Sequence, residues 1–270
     1  MVPGNRESTD RSVAYYDEIA ADYDRQLLER PADRLARQAF QELVGRYVPR
    51  ASTILDFGCG TGIDAEWYVR NGYDVLAFDQ SEQMVARLRD RCRTAMSSGR
   101  LKSTVAPFAS FESVLNQWPS ADALVSNFAV MNMVEDPRRL FEIFARSAKT
   151  PAWLMISLVN PMHRRYLARA SWWRNTLTRR PGESRFRIST HYDAVAHFPS
   201  DLVAAAKGFD LLGVGYAGRY VRYIDLSAAP SRDMWWSLDG AMPSGIERMV
   251  WSSPAVRLTA AFVFLVFRTT

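Results

Sequence analysis

Residues 54–62 read Ile-Leu-Asp-Phe-Gly-Cys-Gly-Thr-Gly, with glycines at every second position directly after an apolar run. Gly58, Gly60 and Gly62 remove side chains where a backbone turns sharply and where a ligand must approach it closely. The pattern is not a dinucleotide fingerprint, because the third position of the G-x-G-x-x-G spacing falls on Ile63. It is not a P-loop either, because no Lys-Ser or Lys-Thr follows the glycines. Asp56, just before the turn, adds a negative charge that repels a pyrophosphate and can attract a cationic amine. Asp79 ends a second apolar run, YDVLAFD, 23 residues beyond Asp56. In doubly wound sheets an acid at that place takes the two hydroxyls of a ribose. The pairing implies an adenosine-containing ligand bound without recognition of phosphate.

These residues need strand ends to carry them, and the sequence around them supplies a regular alternation. Apolar STILDFG precedes a helical stretch from Gly62 to Asn71; YDVLAFD precedes the helical SEQMVARLRDRCRTAM and the short STVAPF. ADALVSNF then reads as a strand, DPRRLFEIFARSAK as a helix and AWLMISLVN as a strand. Strands alternating with helices of this length imply right-handed parallel βαβ units, so the first 160 residues read as a doubly wound α/β sheet. Ahead of it, residues 1–12 are polar and expected to fray, while VAYYDEIAADYDRQLLER and PADRLARQAFQELVGRYV read as amphipathic helices separated at Pro31. After Asn160 come a basic, tryptophan-containing stretch, the helix FPSDLVAAAKG, the strand FDLLGVGYAG, a loop-rich portion from Gly218 to Trp251 and a last strand, RLTAAFVFLVF. The two final strands are expected to pair antiparallel at the sheet edge.

A chain of 270 residues with 48% hydrophobic content can bury one large core, and residues 1–270 are expected to form a single domain. Its two cysteines, Cys59 and Cys92, suggest neither a disulfide framework nor a structural zinc site, and no metal site is expected. The sequence MVPGNRESTD has no signal-peptide character, and the most apolar run, Ala260 to Phe267, is too short to span a membrane. The expected location is the cytoplasm. Of the net charge of +5, the stretch His163–Arg187 more than accounts for all, with eight arginines against Glu183. With Trp172 and Trp173 inside it, that stretch reads in three ways. It is a nucleic-acid or membrane surface, a solvated basic helix whose tryptophans plug a pocket mouth, or a set of guanidinium forks for an acceptor carboxylate or phosphate.

DFGCGTG, the FDQSEQM stretch, and SNFAVMNMVED followed by a helix and AWLMISLVN resemble the class I (Rossmann-like) S-adenosylmethionine-dependent methyltransferase family over roughly residues 13–160. The resemblance implies a mostly parallel seven-stranded sheet with an antiparallel C-terminal hairpin, and S-adenosyl-L-methionine as cofactor. It implies that Asp56, Gly58, Gly60, Thr61 and Gly62 form the loop around the methionine part, and that Asp79 binds the ribose. Gln80 and Met84 would flank the adenine, and Asn127 would stand beside the methionine end. YYDEIAADYD looks like the family's lid helix within residues 1–50, with Tyr16 and Tyr23 closing over the cofactor. The family's acid after the third strand has no counterpart in Thr104-Val105-Ala106-Pro107-Phe108, so that contact is missing or made by backbone.

The acceptor is less well marked. His163 follows the fifth strand and is the best-placed candidate base, and His191 lies in the 161–251 insertion expected to form the acceptor pocket. For these two and for His197, a surface or structural role stands beside the catalytic one. The apolar, aromatic insertion favours a small-molecule acceptor, methylated on oxygen, nitrogen or carbon, over nucleic acid. The alternatives are an RNA or protein methyltransferase using residues 163–187, and a methyltransferase-like protein that binds the cofactor without catalysis. Strand four ends Ser-Asn-Phe-Ala, not the N/D-P-P-F/Y pattern of amino-group methylation of bases or glutamine.

Overall fold

The computed structural model describes residues 4–170, 173, 194, 197–218, 220–226, 233–237 and 258–269. Three helices open the chain: α1 (Gly4–Ile19), α2 (Tyr23–Leu28) and α3 (Pro31–Tyr47). The polar start is therefore helical from Gly4, not frayed. Once the far end of α1 is held by tertiary contacts, extending it backward adds hydrogen bonds without a new nucleation cost. The expected helix over 13–30 is divided at Ala20–Asp22, where Asp22 N bonds Ile19 O at 3.0 Å, so that Tyr16 and Tyr23 sit on separate helices. Pro31 takes the first position of α3, where its missing N–H costs nothing.

The alternation follows: β1 (Thr53–Phe57), α4 (Ile63–Arg70), β2 (Asp74–Asp79), α5 (Glu82–Arg91), α6 (Arg93–Ser97), β3 (Leu101–Val105) and α7 (Phe111–Leu115). Next come β4 (Ala123–Ser126), α8 (Pro137–Ser147), β5 (Trp153–Val159), α9 (Arg164–Leu167), α10 (Pro199–Ala205), β6 (Phe209–Ala217), β7 (Tyr220–Asp225), β8 (Asp233–Ser237) and β9 (Phe262–Thr269). They form one sheet in the order β3-β2-β1-β4-β5-β9-β6-β7-β8. The first five strands are parallel, and β9 runs antiparallel between β5 and β6. The class is the expected one, an α/β Rossmann-like sheet with antiparallel C-terminal strands.

The strand count and the edge differ from expectation. The described residues hold nine strands rather than seven, because part of the stretch read as loop-rich, 218–251, forms β7 and β8. The two expected final strands do pair, but β9 lies inside the sheet and β6 is covered by β7. An uncovered β6 would present a row of unpaired N–H and C=O groups, and β7 satisfies them.

Side-chain alternation sorts the strands between two apolar layers. Ile54, Val75, Ala77, Val125, Met155 and Val266 face α3, α4 and α5, whereas Leu55, Leu76, Phe78, Leu124, Ile156 and Leu265 face α7, α8 and α10. The order of the parallel strands reverses between β1 and β4, which opens a crevice at their C-terminal ends. There the chain leaves β4 through two consecutive residues with left-handed backbone, Phe128 at φ 53° and Ala129 at φ 64°. Neither is a glycine, so both carry the steric cost of a Cβ in that region. Ala129→Gly removes that cost at one of them and is expected to stabilise the protein by about 0.5–1 kcal/mol in urea unfolding; a loss of stability would contradict the strain.

Candidate active site

The crevice deepens into a cavity of about 890 Å³. Its floor is the turn Gly58–Thr61, fixed when Gly58 N and Cys59 N both bond Phe78 O, at 2.8 and 3.1 Å. A Cβ on Gly58 would stand 2.3 Å from Val130 Cγ1, so only glycine lets the loop after β4 pack here. A Cβ on Gly60 would meet nothing within 4 Å, which leaves its backbone open for a ligand to lie against. Gly62, at φ 81°, makes the entry into α4.

Asp79 ends β2 at the next loop and lines the cavity. Gly60 N donates to its Oδ2 at 2.8 Å and Ser81 N to its Oδ1 at 3.0 Å, so its carboxylate is aimed by the glycine turn itself. Burial pushes its pKa up, and these backbone donors oppose the rise. Each carboxylate oxygen accepts more than one bond, which leaves capacity for hydroxyl donors. Gln80 and Met84 also line the cavity, and Gln80 Oε1 accepts from Phe108 N at 3.0 Å. That bond anchors Pro107, Phe108 and Ala109 as the wall where the family's usual acid is missing.

At the opposite end a charged network replaces the expected simple polar contact. Asn127, buried and cavity-lining, accepts at Oδ1 from Ser157 Oγ (3.0 Å) and Phe128 N (2.8 Å), and donates from Nδ2 to Asp64 Oδ2 (3.2 Å). Asp64 also accepts from Gln41 Nε2 at 2.7 Å and pairs with Arg37. Arg37 is 8% exposed, lines the cavity and lies 4.2 Å over the Phe128 ring. Burial opposes its charge, but the Asp64 carboxylate, with Tyr23 and Tyr68, more than offsets that and raises its pKa. Its Nε has no hydrogen-bond partner among the described residues. Sequence reasoning missed Arg37 and Asp64. The one available signal was an arginine amid the apolar positions of PADRLARQAFQELVGRYV, and nothing in that pattern names its partner.

Asp56 is not among the lining residues. It is buried beneath the turn with Oδ2 unpartnered, and burial together with Asp64 pushes its pKa well above the usual carboxylate range. Thr61 lines the cavity, but its hydroxyl donates to Asp24 of α2. Tyr16 and Tyr23 form the roof, in edge contact with ring centroids 6.2 Å apart. His163 does not line the cavity; it caps α9, with Nδ1 accepting from Arg165 N at 3.2 Å, and burial and neighbouring arginines lower its pKa. His197 is buried, its Nε2 2.7 Å from Val134 O. Cys59 is buried and burial pushes its thiol up, which suits packing. His191, Trp172, Arg174, Arg179, Arg180, Arg185 and Arg187 lie outside the described residues, as does about half of the 161–251 insertion. Among the described residues no group of side chains could hold a metal ion, and no helix is long and apolar enough to cross a membrane.

Residues 23–193 match the methyltransferase domain family, and the chain belongs to that class I S-adenosylmethionine-dependent methyltransferase family. The ubiquinone biosynthesis O-methyltransferase of Leptothrix cholodnii is 28% identical over 109 residues, 40% of this chain and 44% of that protein. The match thus spans less than half of that relative's length. Among solved structures, magnesium protoporphyrin IX methyltransferase from Synechocystis PCC 6803 has a TM-score of 0.57 at 13% identity, covering 97% of this chain and 100% of that one. Geranyl diphosphate C-methyltransferase from Streptomyces coelicolor A3(2) has 0.53 at 18%, covering 86% and 76%. Both of those structures contain S-adenosylhomocysteine. The cradle fits the family's cofactor: an open glycine backbone, an aimed carboxylate and a largely buried cation lie along one cavity.

The Asp56 carboxyl has a pKa raised above its unfolded value, so its stabilising effect is complete below the unfolded pKa and fades as pH rises through the folded one. Asp56→Asn lacks this titration. In the ligand-free protein, the melting temperature of Asp56→Asn relative to wild type is expected to rise between about pH 5 and pH 8. A difference that stays flat or falls over that range would contradict the raised pKa of the buried carboxyl.

Proposed function

We propose that the cavity holds S-adenosylmethionine with its ribose on Asp79 and its adenine between Met84 and the Pro107–Ala109 wall, with the methionine part running over Gly58–Gly60. The methionine carboxylate is assigned to Arg37, the cation that lines this end of the cavity, whose guanidinium suits a carboxylate. The observation that carries the reading is the Asp79 carboxylate, held by Gly60 N at the sheet's switch point and open on its cavity side. Asn127 and Asp64 surround the methionine end and hold Arg37 in place. The bound cofactor supplies a methyl group already activated by its positive sulfur. What the protein contributes is proximity, alignment and exclusion of water, with Tyr16 and Tyr23 closing the roof.

A small-molecule acceptor suits this chamber. Its volume is near the upper end for small-molecule pockets, leaving room beside a cofactor, and Phe57, Phe78, Phe108, Phe128, Val130 and Met133 make much of the wall apolar. The two structural neighbours carry small molecules in their names, consistent with this reading. The macromolecular alternative leaned on the arginines after His163. Of these, Arg165 and Arg169 lie over the Tyr166 ring at 4.6 and 5.8 Å, engaged in packing. His163 is given no proton to move, because it does not line the cavity and its Nδ1 is taken by the α9 cap.

Asp79→Ala removes bonds to a charged acceptor worth about 1.5–3 kcal/mol, so affinity for S-adenosylhomocysteine in calorimetric titration is expected to drop roughly 10- to 100-fold. Unchanged affinity would remove the ribose assignment. In a methyl-transfer screen the wild-type protein is expected to turn over small phenols, amines or carbon acids; turnover confined to RNA or protein would overturn the acceptor class.

A further inference from the structure

The lid segment YYDEIAADYD contains Tyr-Asp twice at a spacing of seven residues, Tyr16-Asp17 and Tyr23-Asp24. In both pairs the tyrosine lines the cavity, and the aspartate accepts a hydrogen bond from a buried hydroxyl on a loop that frames it. Asp17 Oδ1 accepts from Ser81 Oγ at 2.5 Å and from Gln83 N at 3.0 Å. Ser81 stands two residues beyond Asp79 and caps α5 by accepting from Met84 N at 3.1 Å, so Asp17 binds the loop that carries the ribose acid. Asp24 accepts from Thr61 Oγ1 in the glycine turn and pairs with Arg91. Arg91 in turn donates from Nε to Thr61 O at 3.1 Å and from Nη1 to Glu66 at 3.2 Å. One guanidinium thereby joins α5, the glycine turn, α4 and the lid.

We propose that Asp17 and Asp24 are paired positioning residues that clamp the lid tyrosines over the cofactor, one on each cofactor-binding loop, and so set how long the cofactor stays. The proposal rests on the cavity being the S-adenosylmethionine site. It differs from ordinary surface ion pairing because both hydroxyl donors are 2% exposed and belong to the turns that shape that site. A carboxylate accepting from such donors makes a charge-assisted bond, stronger than a neutral one. The bonds must break for the roof to lift, whereas nothing in them touches the transferring methyl group. Their loss therefore speeds escape of the cofactor and raises its KM, and leaves the transfer step at saturating cofactor in place.

The test is stopped-flow dissociation of S-adenosylhomocysteine from the full-length protein as wild type, Asp17→Asn, Asp24→Asn and the double variant. Alongside it, KM for S-adenosylmethionine and kcat are measured on an acceptor from the screen. The expected result is an off-rate about tenfold faster for each single variant, faster again for the double, with KM rising and kcat within twofold of wild type. Arg91→Gln, which removes the ion-pair partner of Asp24 together with the donor to Thr61 O while leaving both lid aspartates in place, is expected to reproduce the faster off-rate if an aspartate variant folds poorly. Off-rates within twofold of wild type in the double variant and in Arg91→Gln would overturn the clamp alone. A wild-type protein that does not bind S-adenosylhomocysteine would overturn the cofactor site, and the clamp with it.

Discussion

Arg37 and Asp64 lie almost wholly out of water, where neither charge could stand alone. Removing one member of a buried pair commonly costs roughly 3–5 kcal/mol, because the other is left without compensation. The site is assembled around that constraint. Asp64 sits in the first turn of α4 directly after the glycine turn, Arg37 in the middle of α3, and Asn127 at the end of β4 joins both to Ser157 on β5. Keeping the pair satisfied fixes where α3 lies over the sheet, and the Arg37 guanidinium in turn supports the strained Phe128 from one side. The cavity's end is thus held by the same contacts that make the buried charges tolerable.

From that end the cavity runs along the C-terminal edges of the parallel strands, each loop contributing one kind of contact. The loop after β1 offers bare backbone, the loop after β2 a carboxylate aimed by that backbone, and the loop after β3 a wall anchored by Gln80. The lid then binds two of those loops through Asp17 and Asp24. A methyltransferase acting on an activated donor needs alignment and dryness more than proton chemistry, and the described lining is built accordingly.

Much of this was legible in the sequence because it depends on local spacing. The glycine turn and Asp79 are read from strand ends about twenty residues apart, and β1 to β5 from apolar runs separated by amphipathic helices. What stayed hidden depends on contacts between distant segments. Arg37 looks like one more polar residue of an amphipathic helix until Asp64, 27 residues away, is folded against it. Thr61 reads as part of the cofactor loop, yet its hydroxyl is turned to Asp24, 37 residues earlier. β7 and β8 gave no clear alternation, and the edge of β6 supplied the reason for them to pair. His163 was singled out for following a strand end, but its ring serves the backbone of the short helix it precedes.

The central claim is that one cavity, framed by Gly58–Gly60, Asp79 and Arg37, holds the methyl donor. A crystal structure with S-adenosylhomocysteine tests it most directly. The account predicts ribose hydroxyls on the Asp79 carboxylate and the homocysteine carboxylate on Arg37, beneath Tyr16 and Tyr23. A ribose away from Asp79, or a carboxylate in solvent with Arg37 still paired only to Asp64, would contradict it.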